Sequence, residues 1–209
     1  MVRAVFEYGV IGRAIKKGIL NINPVDLRDF AVDKHRSVDD KPFGGGPGMV
    51  MRVDVIDRAL SAIKRKREEG RGKKVVLLSP QGKLFNQRIA EEYSKLDHLI
   101  LISGRYEGVD GRVREHLADE ELSIGEYVLS GGEIPAMAVA DAVARLLPGV
   151  VGDPESLLSE SFSSAGPGNL DFPQYTQPAE YKGWRVPAVL RSGDHGKIKR
   201  WREKQINRF

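Results

Sequence analysis

VVLLSPQGKLFNQRIAEEYSKLDHLILISGRYEG, from Val75 to Gly108, is the stretch whose reading decides the fold. It opens on four consecutive apolar residues, Val75–Leu78, and ends just past four more, Leu99–Ile102. Neither run alternates with polar residues, so each predicts a strand buried on both faces. Between them Asn86–Leu96 reads as a helix. Strand, helix, strand is the unit from which covered parallel sheets are built. Working outward, Val109–Leu117 predicts a helix, Ile124–Leu129 a short strand, and Ile134–Leu147 a helix stopped by Pro148–Gly149. Upstream, Asp54 caps a helix reaching Arg67 with Val55, Ile56, Ala59, Leu60 and Ile63 apolar. Residues 2–17 read as one amphipathic helix and Leu20–Ile22 as a short strand. The expected class is α/β, a mostly parallel sheet with helices on both faces. A Ser-, Gly- and Pro-rich stretch over 152–180 reads as a connector, and the helix His195–Lys204 begins a smaller unit.

The chain has 209 residues and 23.2 kDa, which suits one domain with an appendage. It contains no cysteine, which excludes disulfides, thiolate catalysis, Fe–S clusters and cysteine zinc sites, and fits a reducing compartment. The apolar runs fall far short of the ~20 residues that span a bilayer. No leader pattern precedes the first helix. A soluble, cytoplasmic protein is therefore expected, with no membrane partner. The formal net charge of +4 conceals a strong asymmetry. Residues 121–180 hold nine acids and a single base, Arg145, whereas residues 181–209 hold nine bases and two acids. A basic tail interleaved with Tyr181, Trp184 and Trp201 has the composition of a nucleic-acid contact surface. A solvated amphipathic helix explains the charge alone equally well.

Each core strand runs into a polar, glycine-bearing loop: Ser79–Gly82, Ser103–Gly108, and Ser130–Glu133 with Pro135. Ligands of open α/β sheets bind beyond the carboxyl ends of the strands, and glycine lets a ligand approach the main chain closely. Taken singly, each loop reads as a tight turn; three together point to a small-molecule pocket. The glycine run Gly44–Gly48 does not complete G-x-G-x-x-G, and no GK[ST] follows any loop, which argues against the common NAD and ATP pockets. His35, His98, His116 and His195 lack metal-ligand spacing. Asp39–Asp40 reads as an ordinary solvated pair.

Several motifs resemble one family closely. Val38–Asp40 with Gly44–Met49, Leu78–Gly82 (LSPQG), Gly104–Asp110 (GRYEGVD), Ser123–Ala136 (SIGEYVLSGGEIPA) and Asp141–Val150 (DAVARLLPGV) look like the bacterial tRNA (guanine-N1)-methyltransferases, the TrmD family of the SPOUT class. The likeness runs from Glu7 to about Gln205. It implies a C-terminal trefoil knot, a homodimer, and methylation of N1 of the tRNA guanosine at position 37, 3′ of the anticodon, from S-adenosylmethionine. Neither DNA nor a membrane is an expected partner. It further implies a knotted methyltransferase domain over 1–158 with the family's first strand missing, a linker over 159–180, and over 181–209 the start of a helical tRNA-contacting domain, truncated here.

By the same resemblance the methyl donor is held by Leu78, Ser79, Pro80, Gly104, Tyr106, Glu107, Ile124, Gly125, Glu126, Tyr127, Val128, Leu129, Gly131, Gly132 and Pro135, with Asp171 near donor and target base. Magnesium dependence is also implied; no motif shows a magnesium site, and Glu107 is the candidate. Ser103, Gly111 and Gln177 stand where the family usually has Cys, Glu and Arg. Glu160 stands where the family has its catalytic Asp. Guanine N1 carries a proton, so methylation needs a base within hydrogen-bond reach, and Glu160 is that candidate. The negative charge that then develops on the adjacent carbonyl oxygen calls for a fixed cation. Arg145 suits that role, and an i,i+4 pair with Asp141 suits it equally on the residues alone. Two alternatives stay open: a tRNA-binding module impaired in catalysis, or a knotted methyltransferase acting on another RNA position.

Overall fold

The computed structural model describes residues 2–65, 72–152, 160–162 and 170–206. The chain divides into two compact units, Met1–Gly152 and Asp153–Phe209.

The first unit is built on β3 (Lys73–Leu84), with β4 (His98–Ser103) on one side and β5 (Glu120–Ser123) on the other, all parallel. Because β3 is flanked on both sides, its apolar run has two faces to bury. Val76 and Leu78 pack with Ile89, Ala90 and Tyr93 of α4 (Gln87–Tyr93) and Val139 and Val143 of α6 (Glu133–Ala144). Val75 and Leu77 point the other way, to Ile56 and Leu60 of α3 (Val53–Arg65) and Val113 of α5 (Gly111–His116). This is the expected parallel sheet with helices on both faces. A third cluster sets Phe6, Ile11 and Ala14 against Ala144 and Val150 at the far end of α6.

Local chemistry moves some boundaries. The helix expected over 2–17 is two helices, α1 (Val2–Val5) and α2 (Gly9–Lys16), because Tyr8 is extended and Gly9 adopts φ +66°. Leu20 and Ile22 pack against the third cluster without entering a strand. The strand expected at Ile124–Leu129 lies earlier, as β5. The hydroxyl of Ser123 donates to the carbonyl of Gly125 (3.0 Å) and accepts its N–H (3.2 Å), turning the chain out of the sheet there. A two-residue ladder joins β1 (Asp39–Asp40) to β2 (Val50–Met51).

In the second unit β6 (Glu180–Tyr181) and β7 (Trp184–Arg185) form a hairpin, followed by α7 (His195–Gln205). Asp194 caps α7 by accepting the N–H of Lys197 at 3.0 Å. Its carboxyl is held below the usual aspartate range by that backbone bond and by the Lys197 side chain. An open groove of about 400 Å³ runs between Phe172–Gln177 and Val186, Leu190, Ile198 and Arg202. No helix among the described residues is long and apolar enough to cross a membrane.

Candidate functional site

Leu78 is the level mark of the sheet. It pairs with Ser103 on one side and with Leu122 on the other, so the loops after β4 and β5 leave at the height where Ser79–Gly82, expected as a loop, is instead a bulge within β3. At this point β3 breaks register: Leu122 faces both Leu78 and Lys83, and Ser79–Gly82 bulge outward between them. Gly82 closes the bulge where a side chain would collide with the backbone of Glu121 and Leu122. Leu78, Ser79 and Pro80 thus meet Gly104 and the start of the Ile124–Leu129 loop along one edge.

The second and third loops are laced together. The N–H of Gly132 donates to the carbonyl of Gly104 at 2.7 Å, and Arg105 and Gly131 form an antiparallel bridge. Ser103 Oγ donates to the Gly132 carbonyl at 3.1 Å, and Arg105 Nε to Glu133 Oε1 at 2.6 Å. A methyl on Gly132 would lie 2.7 Å from Ser103 Cα and 2.8 Å from Gly104 N, so only glycine fits this approach. Glu133 opens α6, and Pro135 falls in its first turn, where no helical N–H partner is lost.

The second loop is also anchored from below. Glu107 N–H donates to Met49 O (3.1 Å), Met51 N–H to Gly108 O (3.0 Å), Asp110 N–H to Met51 O (3.0 Å), and Arg105 N–H to Met51 Sδ (3.1 Å). Gly48, at φ +79°, has the Glu107 side chain where its own would be. Asp110 then caps α5 on the N–H of Arg112. The Arg112 guanidinium holds the Asp110 carboxyl below its ordinary range against the opposing effect of burial. Tyr106 holds φ +59°, a conformation rare for a side chain of its size, with its ring exposed. The third loop is exposed at its tip, Glu126 through Val128, with Val128 87% accessible, and the Tyr127 ring folds back over Gly125. Leu84 and Ile134 are exposed apolar residues as well.

Arg145 follows α6 directly and is half-buried. Twelve helical residues separate it from Gly132, a length of about 18 Å. Glu160 and Asp171 belong to the second unit. Glu160 is half-buried, and the next residue, Ser161, accepts the N–H of Asp171 on its hydroxyl at 2.8 Å. The Asp171 carboxylate accepts the N–H of Phe172 (2.8 Å) and the side-chain amide of Gln174 (3.3 Å). Ser161, Arg105, Met51 and Glu133 are positioning groups to which the sequence reading assigns no role. Each acts on a partner 10 to 54 residues away, a distance no local spacing reports.

The family model for "tRNA (Guanine-1)-methyltransferase TrmD" matches residues 1–208. The chain is 53% identical over 205 residues to the tRNA (guanine-N(1)-)-methyltransferase of Dictyoglomus turgidum, spanning 98% of this chain and 80% of that protein. The protein of the same description from Persephonella marina is 53% identical over 201 residues (96% and 77%), and that from Salmonella newport is 53% identical over 205 (98% and 78%).

Proposed function

The chain belongs to the tRNA (guanine-1)-methyltransferase family, and we propose that it methylates N1 of the tRNA guanosine at position 37, 3′ of the anticodon, using S-adenosylmethionine. The observation that carries the site is the common level of three glycine-bearing segments: the loops at the carboxyl ends of β4 and β5 and the Ser79–Gly82 bulge of β3. Their residues fit the donor. Bare backbone at Gly104 permits close approach, the Arg105–Glu133 clasp covers Gly131, and the exposed rings of Tyr106 and Tyr127 offer cover for an adenine-sized group. Leu78, Ser79, Pro80, Glu107, the Ile124–Leu129 loop, Gly132 and Pro135 complete the proposed cradle. When bound, the donor supplies an electrophilic methyl on a sulfonium.

The chain's own work is at the guanine. Glu160 takes the N1 proton, Arg145 stabilises the negative charge left on the carbonyl oxygen, and Asp171 keeps a carboxylate near the sulfonium. Magnesium fits less well. Glu107 is a single candidate ligand, and among the described residues no three acidic or imidazole groups come together as a metal site.

The trefoil knot of the SPOUT class belongs to this proposal. It is supported by the chain crossing from one edge of the sheet to the other between β4 and β5. So does the division into a methyltransferase domain over 1–158, a linker over 159–180 and a tRNA-contacting domain beginning at 181. A homodimer is supported by the exposed apolar residues Leu84, Tyr106, Tyr127, Val128 and Ile134 and by the length of α6, which separates Arg145 from its own donor loops. A tRNA substrate implies a cytoplasmic setting.

The test is incubation with labelled donor and an unmodified tRNA transcript, followed by mapping of the modified nucleoside. One N1-methylguanosine at position 37 is expected, and none in a transcript with adenosine there. Label at another position would assign a different RNA target, and tRNA binding without label would leave a binding module.

A further inference from the structure

The basic C-terminal stretch interleaves three rings, and the second unit divides them into two kinds. Trp201 is half-buried on α7 and packs edge-on against Tyr175, ring centroids 6.3 Å apart. Tyr181 and Trp184 stand out on the β6–β7 hairpin, 54% and 72% accessible. The hairpin turn has two central residues, Lys182 and Gly183, at φ +52° and +84°, the geometry that fixes a two-residue β-turn in one register. That register pairs Tyr181 with Trp184 and Glu180 with Arg185. Residues directly opposite share a face, so the hairpin has one aromatic face and one ionic face. Arg185 and Glu180 close the ionic face at 2.8 Å. On the aromatic face the two rings meet edge-on at 5.8 Å, and Lys182 Nζ lies 5.4 Å from the Tyr181 centroid.

Two large rings held rigidly in water beside a cation, in a segment with nine bases and two acids, have little to do with the unit's own packing. Their chemistry suits a flat, uncharged π surface joined to a phosphate. We propose that the β6–β7 hairpin is a stacking platform for an unpaired base of the RNA substrate, with Trp184 as the principal ring and Lys182 serving the adjoining phosphate. The inference rests on tRNA as substrate and adds which residues grip it. Trp201 is a packing residue on this account and takes no part in stacking.

The experiment is binding of an unmodified tRNA transcript to the full chain. Trp184→Ala should weaken affinity about 5- to 150-fold, the span of one lost base–ring stack, and Trp184→Phe should recover most of it. Lys182→Ala should lower the salt slope by about one, and Trp184→Ala should leave it unchanged. The chain has two tryptophans, so Trp201→Phe leaves Trp184 as the sole indole, whose emission should be quenched as tRNA saturates. Calorimetry with S-adenosylhomocysteine should be the same for the wild type and Trp184→Ala. Wild-type affinity in Trp184→Ala, or unmoved Trp184 emission at saturation, overturns the platform. A fall in molecular mass of Trp184→Ala would assign the ring to a protein contact and overturn it equally. A wild-type chain that binds no tRNA would remove the substrate reading itself.

Discussion

A methyl group added at Gly132 would have the backbone of Ser103 and Gly104 within 3 Å, and neither neighbour is a flexible side-chain end. Gly132→Ala must therefore push two loops apart. Overpacking of this kind costs about 1–3 kcal/mol, measurable by denaturant unfolding, and S-adenosylhomocysteine should lose affinity beyond that stability loss. Unchanged calorimetry would mean that the spacing of these loops is irrelevant to the donor. Glu160, half-buried, raises a question of chemistry. With Glu160 as base, Glu160→Gln should keep tRNA and donor binding and lower turnover by about 10²–10⁴. Glu160→Asp should fall between, because the carboxylate survives and its reach shortens by one methylene. Arg145→Ala should act on turnover in the same direction, by about 3–4 kcal/mol of lost charge stabilisation. Full turnover by Glu160→Gln near neutral pH would pass the role to Asp171.

At the scale of elements, β3 and β4 were readable because both faces of each are covered, which leaves an unbroken apolar run. β5 was not readable. Its single large apolar residue is Leu122, and its first residue, Glu120, is an acid with a structural task. Lys74 Nζ lies 3.0 Å and the Tyr93 hydroxyl 2.8 Å from the same Glu120 oxygen. Burial alone would raise the Glu120 pKa, but the bonds to Lys74 and Tyr93 outweigh it and hold it below its ordinary 4.5. A carboxyl with a depressed folded pKa stabilises the fold above its unfolded value and loses that contribution as pH falls through the folded one. Tyr93 has the reverse sign. Burial, then the bond to Glu120, raises its pKa, so its contribution is complete below 10.0 and declines above. Unfolding free energy measured against pH should thus fall at both ends, and Glu120→Gln should flatten the acid limb below pH 4.5. An acid limb identical in wild type and variant would remove Glu120 as its source. The same contrast applies to the site. Its loops were legible because glycines follow apolar runs. The Arg105–Glu133 clasp and the seating of Glu107 on Gly48 join residues 28 and 59 positions apart, which only the folded chain brings together.

For the whole molecule, the proposed homodimer poses the question of which copy of the chain completes which site. The proposed donor loops and Arg145 lie at opposite ends of α6, about 18 Å apart. The proposed base, Glu160, belongs to the other compact unit. If the exposed apolar residues Leu84, Tyr106, Tyr127, Val128 and Ile134 pair two copies, one copy's loops can be completed by the other's Arg145 and Glu160. Two lesions separate the possibilities. Glu160→Gln keeps the donor loops and lacks the base, whereas Gly132→Ala keeps the base and distorts the loops. Each alone should be nearly inactive. Mixed and allowed to exchange, they form heterodimers in which one site unites the intact loops of the first with the intact base of the second. Random exchange at equal amounts makes about half the dimers mixed, each with one good site of two, so activity should recover to roughly a quarter of the wild type. Sites completed within one chain would give no recovery, because every chain in the mixture carries a lesion.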